Sequence, residues 1–126
     1  MSTRRSLLLA LAGLLAPAAA TAATPPKKKA PAKKPLVITI NKVSQKMTVS
    51  LDGRTKYKWP VSTGAPGYDT PSGNFRPFRM EKEHFSREWD DAPMPHSIFF
   101  TKQGHAIHGY LNTRDIGRPA SHGCVR

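Results

Sequence analysis

The stretch Leu36–Thr63, LVITINKVSQKMTVSLDGRTKYKWPVST, decides the fold. LVITI is a short β-branched run and KMTVSL alternates polar and apolar residues, so both read as strands. Asp52-Gly53 follows, a pair suited to the left-handed backbone angles of a two-residue hairpin turn. RTKYKWPVST is then the returning strand. Pro60, which has no N–H to donate, marks an edge position or a strand end.

Beyond this hairpin, GAPGYDTPSGNF (Gly64–Phe75) holds three glycines and two prolines in twelve residues and reads as a long loop. NFRPFRMEK offers another strand, and HFSREWDDAPMPH is irregular and polar. SIFFT and HAIHG are two short apolar strands separated by Lys102-Gln103-Gly104. No window shows a capped 3.6-residue apolar period, and there are no internal repeats. The expected fold is mostly β, a small β-sandwich or open barrel. Whatever follows Cys124 is expected to lack strand partners.

The residues before Leu36 have another character. The chain opens with two arginines, an apolar run Leu7–Leu15, and small residues that offer Ala18-Ala19-Ala20 or Ala20-Thr21-Ala22 for cleavage. That layout predicts a secretory signal peptide over residues 1–22 and export to the periplasm or cell wall. Thr3–Leu8 also looks like a twin-arginine signal. The run is too short for a transmembrane anchor, which takes roughly 20 residues. Residues 23–35, ATPPKKKAPAKKP, read as a disordered tether, extended by proline and self-repelling through lysine.

Charge divides along the same line. Of the 20 lysines and arginines, seven precede Leu36, and all 8 acidic residues follow it. The net +12 thus resolves into +5 on the expected domain and +7 on leader and tether. A basic tether behind an export leader suits a polyanionic envelope or simple solubility better than nucleic acid, and no nucleic-acid partner is expected.

Cys124 is the one cysteine, so no internal disulfide can form. In an oxidising compartment an unpaired thiol is a liability, which leaves two alternatives: a reactive thiol or a buried structural cysteine. His105, His108 and His122 lie within twenty positions of it. The polar, glycine-punctuated loop between His108 and Cys124 can bring its ends together at modest entropic cost. A thiol is only a few per cent ionised near neutrality, and an imidazole base with converging backbone N–H groups would raise its nucleophilicity. His108 suits the base, and Gly123 allows the Gly123 and Cys124 amides to converge on an oxyanion. The carbonyl of Gly109 could orient the imidazole, with Asp115 a weaker candidate. Arg126 could clamp a substrate carboxylate. A zinc site built from His105, His108, His122 and Cys124 is the competing arrangement, but its spacing is unlike common zinc patterns.

These residues are familiar as a set. IHGYLNTRDIGRPASHGCVR (Ile107–Arg126) resembles the signature of the YkuD-type L,D-transpeptidase catalytic domain family: an HG pair, a loop of about this length, then SHGC, an apolar residue and Arg or Asn. WPVSTGAPGYDTPSGNF resembles the family's STG and TPSG landmark, and ITINKVSQKMTVSLDG its opening hairpin. The resemblance covers residues 36–126.

It implies a β-sandwich-like fold and an enzyme that acts on peptidoglycan tetrapeptide stems. Cys124 would form a thioester and release D-alanine. An amine from another stem or from an envelope lipoprotein would then resolve the thioester. His108 would be the general base and acid, Gly109 its orienting carbonyl, and Ser121, His122 and Gly123 the segment shaping the oxyanion hole. Ser121, Tyr110 and Arg126 would lie on the substrate side. No metal or organic cofactor is implied, and β-lactams, where the family binds them, would meet the same cysteine. Tyr110 stands where Thr or Ser is more usual. The family domain also continues past SHGC, so the C-terminal strands are expected to be missing and the sequence to be a fragment. An L,D-carboxypeptidase using water, or a non-catalytic peptidoglycan-binding module, remains open on the same residues.

Overall fold

The computed structural model describes residues 33–126. The expected signal peptide and most of the tether lie outside the described residues. Pro35, the tether's last residue, accepts a hydrogen bond from the Asp52 amide through its carbonyl (3.0 Å). Among the described residues no helix is long and apolar enough to cross a membrane.

The opening stretch forms an antiparallel meander: β1 (Leu36–Asn41), β2 (Lys46–Leu51) and β3 (Arg54–Pro60). Its second turn is the expected one. Leu51 pairs with Arg54, and Asp52 and Gly53 take φ of 55° and 73°, the left-handed angles a tight hairpin needs. In the first turn the Asn41 side-chain oxygen accepts from the Val43 and Ser44 amides (3.0 and 2.9 Å), and Gln45 turns back with φ 51°. The register aligns Ile38, Val49 and Tyr57, and next to them Ile40, Met47 and Trp59. Strand alternation thus gathers these side chains on one face. Tyr57 stacks on Trp59 there (ring centroids 4.8 Å apart). β3 ends at Pro60, as its missing N–H dictates.

The second sheet joins β4 (Arg79–Glu81), β7 (Ser97–Phe99) and β8 (Ala106–Ile107) in the order β4-β7-β8. The last two are the expected short apolar strands. β4 uses only the end of NFRPFRMEK. HFSREWDDAPMPH departs from expectation: it forms a small hairpin of β5 (Phe85–Ser86) and β6 (Ala92–Pro93). Asp90 and Asp91 make that turn possible by taking φ of 47° and 50°, a conformation Asp tolerates better than most residues. Among the described residues helix is confined to one 3₁₀ turn, Thr113–Asp115, capped by the Asn112 side chain. The fold is therefore mostly β and helix-poor, built of small antiparallel sheets.

The expectation that the residues after Cys124 lack partners is corrected. Val125 is fully buried and bridges Ile107 in parallel. Its N–H donates to the Ala106 carbonyl (2.9 Å), and its carbonyl accepts from the His108 amide (3.0 Å). On the other side Arg126 and Ser62 exchange both backbone hydrogen bonds (2.9 and 3.0 Å). The pairing partners are β8 and the segment after β3, both distant in sequence and both upstream of Cys124.

That segment, Val61–Gly64, is buried throughout. Gln45 pins it from the first hairpin. The Gln45 carbonyl accepts from the Val61 amide, its side-chain oxygen accepts from the Thr63 amide (2.9 Å), and its Nε2 donates to Thr63 Oγ1 (2.7 Å). Gly64 is obligatory for a different reason: a Cβ there would sit 1.7 Å from the Tyr68 carbonyl oxygen. Gln45→Ala leaves the buried Thr63 N–H without an acceptor, at a cost of about 1–3 kcal/mol. Thermal unfolding should then fall by roughly 10 °C for a domain of this size. An unchanged midpoint would show that the clamp contributes nothing.

Candidate active site

β8 and the Val125 bridge bring His108 and Cys124 to one place. Val125 turns into the core, so its neighbours Cys124 and Arg126 face the other way, as strand alternation requires. Cys124, Arg126 and His108 line a single cleft of about 730 Å³. Cys124 packs against the core cluster of Met94, Phe99 and Ala106, of which Met94 and Phe99 also line the cleft.

His108 is 9% exposed. Its Nδ1 lies 2.6 Å from the Gly109 carbonyl oxygen. A carbonyl only accepts, so Nδ1 carries the proton and Nε2 keeps its lone pair. Gly109 thus occupies the orienting position. Asp115 does not: it pairs with Arg118 (2.6 Å) and approaches Arg126 (3.9 Å). Burial lowers the His108 pKa, against the raising effect of the Gly109 hydrogen bond and with help from the Arg126 charge. Burial raises the Cys124 pKa, opposed by a backbone hydrogen bond from Ala106 and by Arg126. At neutral pH the pair rests as a neutral thiol and a neutral imidazole.

The SHGC turn is held from within and from behind. Ser121 is buried, and its hydroxyl donates to the Cys124 carbonyl while accepting from the Gly123 amide (3.1 Å). Ser121 therefore braces the turn. The Gly123 N–H is engaged there, which leaves the His122 and Cys124 amides, with no acceptor among the described residues, as the donors able to meet an oxyanion. Gly123 takes φ 114°, and a Cβ at that position would approach the His105 ring to 3.1 Å. His105 is itself fixed by Thr101 Oγ1 (2.7 Å). Behind the turn, Thr70 Oγ1 donates to the Gly123 carbonyl (2.8 Å) and accepts from the Gly64 amide (2.9 Å). Thr63 accepts from the Ala120 and Ser121 amides (3.0 Å each). The STG and TPSG stretches thus serve as the scaffold of this turn.

The remaining expected residues fall as follows. Arg126 lies with its guanidinium 4.0 Å from the centre of the Tyr110 ring and donates to the Ala120 carbonyl (3.3 Å). Tyr110 thereby positions Arg126 at the cleft. His122 is exposed and stacks flat on Trp89 (3.8 Å between ring centroids, 7° between planes), with Tyr68 edge-on at 4.9 Å. The zinc set does not assemble: among the described residues no group of three His, Cys, Asp or Glu side chains could hold a metal ion. Trp89 was not among the expected residues, because it sits in a polar stretch with no periodicity. Its one signal is a large aromatic beside the turn-forming Asp90-Asp91.

Comparison with known proteins agrees with this geometry. Residues 35–126 match the L,D-transpeptidase catalytic domain (YkuD) family. The chain belongs to that family. YkuD of Bacillus subtilis strain 168 is 27% identical over 95 residues, which are 73% of this chain and 53% of that protein. A crystal structure of an L,D-transpeptidase from Stackebrandtia nassauensis is 31% identical with a TM-score of 0.63, covering 75% of this chain and 45% of its own. An L,D-transpeptidase from Mycobacterium smegmatis shares the fold with a TM-score of 0.66 at 24% identity, covering 71% of this chain and 48% of its own. The chain spans about half the length of these relatives. The shared architecture is the family's β-sandwich catalytic fold.

The lowered His108 pKa fixes the sign of the pH response. The neutral form persists below the ordinary histidine value of about 6.5, so any adduct formation at Cys124 that draws on His108 should fall only when the pH drops past that point. A rate–pH profile of adduct formation checks this. An acid limb centred above the ordinary value would contradict a buried neutral base. Gly123→Ala should lower the acylation rate at least tenfold, since the φ of 114° is strained for alanine and the His105 ring stands in the way.

Proposed function

We propose that this domain is an exported cysteine L,D-transpeptidase of peptidoglycan tetrapeptide stems. The observation that carries the reading is that Cys124 lines the same cleft as a neutral, carbonyl-oriented His108. Nε2 of His108 takes the thiol proton as sulfur attacks the carbonyl of the third stem residue. The tetrahedral oxyanion is stabilised by the His122 and Cys124 amides. Its collapse breaks the amide bond, and His108 returns the proton to the departing amine of D-alanine. A thioester on Cys124 remains. An acceptor amine, from a second stem or an envelope lipoprotein, attacks it and regenerates the thiol. Arg126, fixed over Tyr110, offers the positive charge that a stem carboxylate would seek. The arginine-led apolar leader supports export to the periplasm or cell wall, with the basic tether beside a polyanionic envelope.

Incubation with a disaccharide-tetrapeptide should add the mass of the stem minus D-alanine to the protein, and Cys124→Ala should abolish the adduct without unfolding the domain. Intact-mass spectrometry reads both. Saturable stem binding by folded protein with no adduct would instead mark a binding module. An adduct lost only to water would mark a carboxypeptidase.

A further inference from the structure

The cleft that holds His108 and Cys124 is also lined by the imidazoles of His84, His105 and His122, of which His84 alone is held by a carboxylate. Its Nδ1 lies 2.6 Å from Glu81 Oε2. A carboxylate accepts, so Nδ1 carries the proton and Nε2 is left with its lone pair and with no partner among the described residues. The other Glu81 oxygen lies 3.3 Å from Arg79 Nε. This group is built around Phe99, a buried core residue: the His84 ring meets it edge-on (4.9 Å), and the Arg79 guanidinium lies over its face (3.9 Å). Phe99 belongs to the cluster against which Cys124 packs. The backbone fixes His84 too, since its carbonyl accepts from the Met94 amide (2.7 Å). A carboxylate-held imidazole in a reaction cleft is the arrangement of a general base. Nothing in the His108–Cys124 chemistry employs it.

The proton balance of transfer supplies the missing role. In acylation His108 takes one proton from the thiol and gives it to the departing D-alanine amine, ending neutral. The acceptor arrives as an ammonium ion, because an alkyl amine of pKa about 10.4 is protonated near neutrality. It must lose two protons to become an amide nitrogen. One passes through His108 to the departing thiolate of Cys124. The other needs a second acceptor. Resolution by water needs only the first transfer.

We infer that His84, held by Glu81, is the base that deprotonates the incoming acceptor ammonium. The carboxylate fixes the ring so that Nε2 is the atom that takes the proton, and solvent later removes it. The inference rests on the transpeptidase reading above, and the test separates the two.

The purified protein is acylated with a disaccharide-tetrapeptide, and the thioester is followed by intact mass on addition of ethylamine or of hydroxylamine. Ethylamine is almost wholly protonated at neutral pH, whereas hydroxylamine is largely neutral. In His84→Gln, transfer to ethylamine should fall at least tenfold, within the range of lost general-base catalysis. Transfer to hydroxylamine, and loss of the thioester to water, should change less than about threefold. Glu81→Ala, which frees the ring, should show the same pattern more weakly. An equal fall with both amines, or a parallel loss of thioester formation, would make His84 a structural residue and overturn the assignment. Unchanged transfer to ethylamine would overturn it as well. If the unsubstituted protein forms no thioester, the transpeptidase reading itself fails, which is a separate result.

Discussion

Two reciprocal sets of backbone hydrogen bonds, Val125 with β8 and Arg126 with Ser62, hold the rest of the site in place. They tie the last residues of the chain to two segments far away in sequence. Through the first set, Cys124 reaches the cleft that His108 faces. Through the second, the buried Val61–Gly64 segment becomes the back wall of the SHGC turn. Each set joins neutral amides and carbonyls inside the domain, where a lost partner would leave an unsatisfied polar group. The turn is therefore held by geometry that does not depend on charge.

Electrostatics then acts on groups already in position. Burial pushes the thiol and the imidazole pKa values in opposite directions, each toward its neutral form. The site thus avoids a resting thiolate, the form most open to oxidation. A preformed ion pair would suit a general redox thiol, whereas a neutral pair suits attack coupled to proton transfer. Arg126 works against this for Cys124 and with it for His108, because one cation favours the thiolate and disfavours the imidazolium.

The opening meander was legible because strand alternation, the Asp52-Gly53 turn and Pro60 are local signals that act within a few residues. The pairing of His108 with Gly109 was legible for the same reason. The β5–β6 hairpin was not, since its two-residue strands carry no period and its turn depends on aspartates in left-handed conformations. The partners of Val125 and Arg126 escaped as well. Strand pairing across dozens of residues leaves no mark in the short apolar stretch that makes it. Ser121 was expected in the segment that shapes the oxyanion hole and on the substrate side; its hydroxyl braces that turn, a use that composition cannot tell from substrate contact. His84 and Glu81, three residues apart in a polar stretch, gain meaning only from the cleft they share with Cys124.

The central claim is that the chain positions Cys124 by docking Val125 onto β8. Amide hydrogen exchange at single-residue resolution tests it most directly. The Val125 and His108 amides should exchange at least a hundredfold more slowly than in an unfolded chain, on the scale of cooperatively held core groups. Exchange of both at the unfolded rate, with β1–β3 amides still protected, would contradict the account. It would mean that the meander folds while the thiol is left unplaced.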